Sequence, residues 1–283
     1  MRIKHVIATV GLALLLAVPS TANAASFAVW LDGNTTPGGG GNGILTSLDH
    51  AFGVGHYTLI SNTQLETAGF LNSFDALIVS RFDSSFGTFM SAGAAANVLA
   101  YVGAANSPGQ GAVAVFTNDA ADNFFGATTG DPFDANLDRL FTNAATFAAD
   151  SHHGFVGEFN GAVMAMTSNS AGAAPIGLLT GNASSTHSAP VFNYLVGPIG
   201  AGNPIDAGVT FPFTDADFSP FRTDITGALS GNIVDIFADN GVPAVLANQA
   251  AINGPGPSAV PEPTTLLLMS AGALGMFRRR RSQ

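Results

Sequence analysis

The chain has 283 residues, 47% hydrophobic and only 10% charged, with 34 glycines and no cysteine. The apolar content suffices for a buried core and argues against global disorder. The glycines follow no G-x-y period and exclude collagen, and the lack of cysteine excludes disulfides, thiolate metal sites and a cysteine nucleophile. The formal net charge is −10, yet the basic residues sit at the ends: Arg81, Arg139 and Arg222 are the only cations between them, with no lysine, so the middle presents an acidic surface that repels nucleic acid and anionic lipid.

The N-terminus has three parts. Arg2 and Lys4 give a positive start, Val6–Val18 is an apolar run broken by Pro19 and Ser20, and Ala22-Asn23-Ala24 places small residues at −3 and −1. That order is the secretory signal pattern. It predicts a signal peptide over 1–24, export machinery and signal peptidase as partners, and cleavage after Ala24.

The body, residues 25–252, is predicted to fold as one exported domain. Phe27–Leu31 is a continuous apolar run ending at Asp32, as in a buried strand. A glycine-rich loop, Thr36–Gly43, precedes apolar residues at 44, 45, 48, 51 and 52, the spacing of a helix that Gly53 ends. Tyr57–Ile60 reads as a strand, Leu65–Phe70 as a short segment, and Ala76–Ser80 as a second buried strand. Ser91–Val102 is alanine-rich and helical, and Ala112–Thr117 is another apolar strand. Continuous apolar strands alternating with helices predict an α/β domain, with a mostly parallel sheet and helices on both faces.

Further along, Asp134–Phe147 fits a helix through Leu137, Leu140, Phe141, Ala144 and Phe147. Ala162–Met166 and Ile176–Leu179 read as strands or core segments, and Asn232–Phe237 and Val242–Ala247 as two closing strands. Residues 253–259 are a Gly-Pro linker. No repeat of fixed period occurs, so a solenoid is not expected.

Val260-Pro261-Glu262-Pro263 opens the last segment, 260–283. An apolar stretch from Thr264 to Phe277 follows, then Arg278, Arg279, Arg280 and Arg281. As a helix its fourteen residues span about 21 Å, short of a hydrocarbon core of about 30 Å. The arginines hold that end on the cytoplasmic side. This tail resembles the PEP-CTERM sorting signal of Gram-negative bacteria, carried by a Pro-Glu-Pro motif, a short transmembrane-like stretch and a terminal arginine cluster. The resemblance implies recognition by an exosortase, a transient stay in the inner membrane, cleavage near the motif, and a destination at the cell surface or in an exopolysaccharide matrix. An uncleaved tail anchor is the alternative.

The order β-α-β-β-α-β of the first half resembles flavodoxin-like domains and, more narrowly, the class I glutamine amidotransferase-like superfamily. Asn203-Pro204-Ile205-Asp206-Ala207-Gly208-Val209 is similar to a His-Pro-Ile/Val-x-x-Gly-Val segment of some members. Asn203 stands where that histidine would be, and no cysteine can serve as the nucleophile, so the family's activity is not carried over.

Several groups are candidates for chemistry. The glycine-rich loop sits where α/β folds cradle anions, but it lacks G-x-G-x-x-G and a phosphate-loop lysine, and a flexible surface loop is the better reading. Asp134, Asn136 and Asp138 alternate as at the start of a calcium loop, but Arg139 replaces the required glycine and Ala145 the distal glutamate; a helix with Asp134 near its start fits the same residues. Asp215, Asp217 and Asp224 surround Arg222 in a second acidic group. His152, His153 and Glu158 are metal-ligand types at no standard spacing, as in a surface or loop cluster. No G-x-S-x-G occurs. No cofactor and no metal is therefore assigned. The expected function is a non-catalytic surface or matrix protein, with polysaccharide, a cation or itself as candidate ligands. The alternative is a secreted hydrolase using Asp32, Asp119 and His153, of which the two aspartates follow strands.

Overall fold

The computed structural model describes residues 25–31, 41–81, 91–103, 109–116, 135–159, 183–188, 193–196, 204–214, 221–225, 232–238 and 243–248. All lie within Ala25–Ala259, which forms one compact unit. The signal segment, the linker, the C-terminal tail, Ala162–Met166 and Ile176–Leu179 lie outside the described residues.

A parallel α/β sheet comes first. Strands β1 (Phe27–Trp30), β2 (Tyr57–Leu59), β3 (Ala76–Arg81), β4 (Val113–Phe116) and β5 (Gly154–Phe159) stand side by side in the order β2-β1-β3-β5-β4, every neighbouring pair parallel. Helix α1 (Gly41–Phe52) links β1 to β2. Helix α2 (Asn62–Leu65) and a 3-10 turn (Phe70–Ser73) link β2 to β3, α3 (Ala92–Val102) links β3 to β4, and α4 (Ala135–Asp150) links β4 to β5.

The handedness of these links decides which face each helix covers. A right-handed crossover moving one way along the sheet puts its helix on one face, and one moving the other way puts it on the opposite face. The β1-to-β2 and β4-to-β5 steps run one way, and the other two run back. The core divides accordingly. Ile44 and Leu48 of α1 and Leu137, Leu140, Phe141 and Ala144 of α4 pack with Phe27, Val29, Ile78, Phe116 and Val156. Leu65 of α2 and Ala94, Ala95, Val98, Tyr101 and Val102 of α3 pack with Ala28, Trp30, Leu77, Val79, Val115 and Phe155 on the other side. Alternate residues of each strand thus go to opposite clusters, and the continuous apolar runs follow from both faces being covered.

Beyond β4 the sheet changes character. Strands β11 (Pro243–Asn248), β10 (Asn232–Ala238), β7 (Asn193–Val196) and β8 (Phe213–Thr214) extend it by antiparallel pairing, to nine strands in one sheet. Seven of the nine point one way, and only β11 and β7 run against them. Strands β6 (Ala183–Ser188) and β9 (Phe221–Ile225) form a separate antiparallel pair. The chain is thus α/β with a mixed sheet. Its parallel order departs from the flavodoxin order 2-1-3-4-5 in that β5 is inserted between β3 and β4.

Local chemistry sets the helix boundaries. Ser61 caps α2 with a complete capping box: its side chain accepts from the Gln64 backbone and Gln64 reaches back to the Ser61 N–H. Ser91 caps α3 by accepting from Ala94 N at 3.1 Å, and Gly103 ends it at φ 89°. Trp30 on β1 is buried and donates to Asn62 Oδ1 at 2.6 Å, so the indole N–H is satisfied where the ring fills the core.

Candidate functional site

In a parallel sheet with helices on both faces, ligands bind beyond the C-terminal ends of the strands, where the strand order reverses. Here that point lies between β1 and β3, whose following helices cover opposite faces. Residues 32–40, 82–90, 117–134 and 160–182 follow β1, β3, β4 and β5 and lie outside the described residues; Asp32, Asp119 and Asp134 are among them. Two described ionisable groups stand in that half of the parallel sheet, Arg81 at the end of β3 and Glu158 on β5. Glu158 is fully buried near the end of β5, in register with Ser80 of β3 and Phe116 of β4.

The opposite edge, where the parallel strands begin, carries a polar cluster. Asp75 lies just ahead of β3. Its Oδ2 accepts from Ser26 N at 2.8 Å and Ser26 Oγ at 2.9 Å, and its Oδ1 lies 3.2 Å from His152 Nδ1. Its backbone also bridges strands: Asp75 N donates to Ser26 O and Gly154 N donates to Asp75 O. Partial burial works against the charge on this carboxyl. The hydrogen bonds from Ser26 and His152, with the attraction of the imidazole, outweigh that and hold it below the ordinary aspartate value. His152 and His153 form the α4–β5 turn, both with positive φ, 51° and 65°. The His153 ring lies 4.8 Å from that of Tyr101, and Tyr101 Oη donates to Phe74 O at 3.1 Å. Burial, then the nearby Asp75 charge, pushes the Tyr101 hydroxyl well up.

Serine, aspartate and histidine meet here, but the carboxylate stands between the other two. A nucleophilic triad needs the imidazole in the middle, taking the hydroxyl proton. With Ser26 donating to Asp75, the cluster fastens strand ends and does not activate an oxygen.

The structure separates the three residues of metal-ligand type. His152 and His153 sit at the start of β5 and Glu158 near its end, about 16 Å along the strand from His153. The surface or loop reading of that cluster is corrected for Glu158, which is buried in a strand. Among the described residues, no three His, Asp or Glu side chains gather as a metal site would require. The calcium-loop reading of 134–138 gives way to the helical one from residue 135 on: Asn136, Leu137 and Asp138 lie in the first turn of α4. There Asn136 Oδ1 accepts from Thr210 N at 3.1 Å, and Asp138 accepts from the buried Ser47 at 2.6 Å and lies 3.5 Å from His50. Arg222 and Asp224 lie on β9; Asp215 and Asp217 are outside the described residues. In the 203–209 segment, Pro204–Asp206 forms a 3-10 turn with Ile205 buried against α4, and Asn143 donates to the carbonyls of Ile205 and Ala207 at 2.9 Å; Asn203 is not described. The segment packs a helix.

Sequence reasoning missed β5 and the strands β6, β7, β8 and β9. The signal for β5 was weak because Gly154, Gly157 and Glu158 are residue types depleted in strands.

Among the described residues no helix is long and apolar enough to cross a membrane. Residues 259–281 match the PEP-CTERM protein-sorting motif. The chain carries a PEP-CTERM sorting signal. The match takes in Val260, Pro261, Glu262, Pro263 and Arg278 to Arg281, and supports an exported protein handled by exosortase and sorted to the cell surface. No curated protein and no solved structure matches the chain.

Proposed function

We propose that this is an exported cell-surface or exopolysaccharide-matrix protein whose body binds or builds rather than catalyses. The match at 259–281 carries the reading. In it, signal peptidase cuts after Ala24, the tail holds the chain in the inner membrane for a time, and exosortase cuts near Pro261-Glu262-Pro263. The body, 25–252, is a flavodoxin-like domain; the parallel order β2-β1-β3 supports this, as do the helices on both faces. Its acidic, lysine-free surface suits a neutral polysaccharide ligand and disfavours nucleic acid.

The hydrolase alternative loses one of its three residues. His153 precedes β5, while Asp32 and Asp119 follow the ends of β1 and β4 that point to the other edge of the sheet. The decisive measurement is the mass of the mature protein from medium and envelope, in hosts with and without exosortase. Loss of 1–24 together with an exosortase-dependent cut near residues 261–263 is expected. A membrane-bound chain with its C-terminus intact in both hosts would overturn the proposal.

A further inference from the structure

We propose that the α-amino group released by cleavage after Ala24 is itself part of the fold: the Ala25 ammonium joins Ser26, Asp75 and His152 at the edge where β1, β3 and β5 begin. The inference rests on the signal-peptide portion of the reading above and adds a structural role for the new chain end.

Position argues for it first. Ala25 is half-buried and packs against the larger core cluster, so the chain is already in place two residues before β1. Ser26 N is 2.8 Å from Asp75 Oδ2. Successive backbone nitrogens are at most about 3.7 Å apart, which puts Ala25 N within about 6.5 Å of that carboxylate oxygen. Before cleavage this nitrogen is a neutral amide. Afterwards it is a cation at the same place, near a carboxylate fixed by two hydrogen bonds from the adjoining residue.

The surroundings are otherwise mixed. His152 and His153 come from the α4–β5 turn, Asp150 from the end of α4, Tyr101 from α3, and His56 from the approach to β2, its carbonyl accepting from Phe27 N at 2.9 Å. Asp75 is the group tied directly to the first residues of the mature chain, so its charge dominates at the amine.

Composition makes the group unusually easy to observe. Lys4 is the only lysine and lies in the segment removed, so the mature chain has one primary amine, at Ala25. Exported protein would be purified, its N-terminus sequenced, and the rate of acetylation by an amine-reactive ester followed against pH. We expect a single acetyl group, added with a midpoint roughly half to one unit above the ordinary α-amino range of about 7.7–8.0. In folded Asp75→Asn protein the midpoint should return to that range. A second arm needs no variant. Acetylated protein should melt about 2–4 °C below untreated protein at pH 7. A pKa raised by folding gives stability below the unfolded value and loses it as pH rises through the folded value, so the gap should close by about pH 10. A chain starting at Ala25 with an ordinary midpoint and no melting difference overturns this inference and leaves the cleavage standing. A chain still starting at Met1, with Met1 and Lys4 both acetylated, overturns cleavage and inference together.

Discussion

Gly154 and Gly111 sit where backbones cross too closely for any side chain. A Cβ on Gly154 would collide with the Ala148 carbonyl at the end of α4, and one on Gly111 with the His153 carbonyl in the following turn. Both obstacles are main chain, so a methyl group cannot be accommodated by turning a rotamer. Gly154→Ala should cost about 3 kcal/mol and lower Tm by roughly 6–12 °C, read by thermal unfolding of the exported protein. Asp75 supplies a prediction in acid. Its folded pKa lies below the unfolded value, so its contribution is present above about pH 4 and is lost as pH falls through the folded value. Asp75→Asn should therefore lessen the decline of Tm below pH 4. Tyr101 behaves in the opposite sense. Burial raises its folded pKa, so stability should fall above about pH 10, and Tyr101→Phe should delay that fall although it gives up the bond to Phe74 O.

Elements were legible where their physics was local. The runs at 27–31, 76–80 and 112–117 are apolar throughout because helices cover both faces, and the spacing 44, 48, 52 marks the buried stripe of α1. The strand that completes the parallel sheet was not legible. Its Gly154 answers a close approach by α4, and its glutamate is buried, so both depart from strand preference for a tertiary reason. The candidate site was legible only as residue types: the sequence shows two adjacent histidines near a glutamate, but not that a strand would carry the glutamate away from them. Nor does any periodicity announce Asn248. This buried side chain accepts from Val113 N at 3.1 Å and donates to Gly111 O at 2.9 Å, standing in for backbone beside β4. Asn248→Leu would leave both groups unpaired, at a cost of about 3 kcal/mol by chemical denaturation. Ser61→Ala, which removes one exposed cap from a single helical turn, should cost about 1 kcal/mol.

At the scale of the whole molecule, composition gave the broad class and the C-terminal motif gave the sorting address, while sheet topology came only from three dimensions. The antiparallel extension hangs on one joint, β4 with β11, where Val245, Leu246 and Ala247 pair with Phe116, Val115 and Ala114. Removing residues 243–283 should therefore abolish cooperative unfolding altogether, because it strips a covered core strand rather than an edge. That joint also sets a timetable. The bond from Val113 to Asn248 spans 135 positions, and on the proposed route the N-terminal strands leave the cytoplasm first. If export keeps pace with synthesis at about 5–20 residues per second, β4 waits roughly 7–26 s for β11 to arrive. Throughout that interval a fully apolar strand has one flank bare, next to a membrane and to other chains in the same condition. On that route the speed with which β11 follows β4, a quantity invisible in the finished structure, sets how long the chain stays open to wrong pairing.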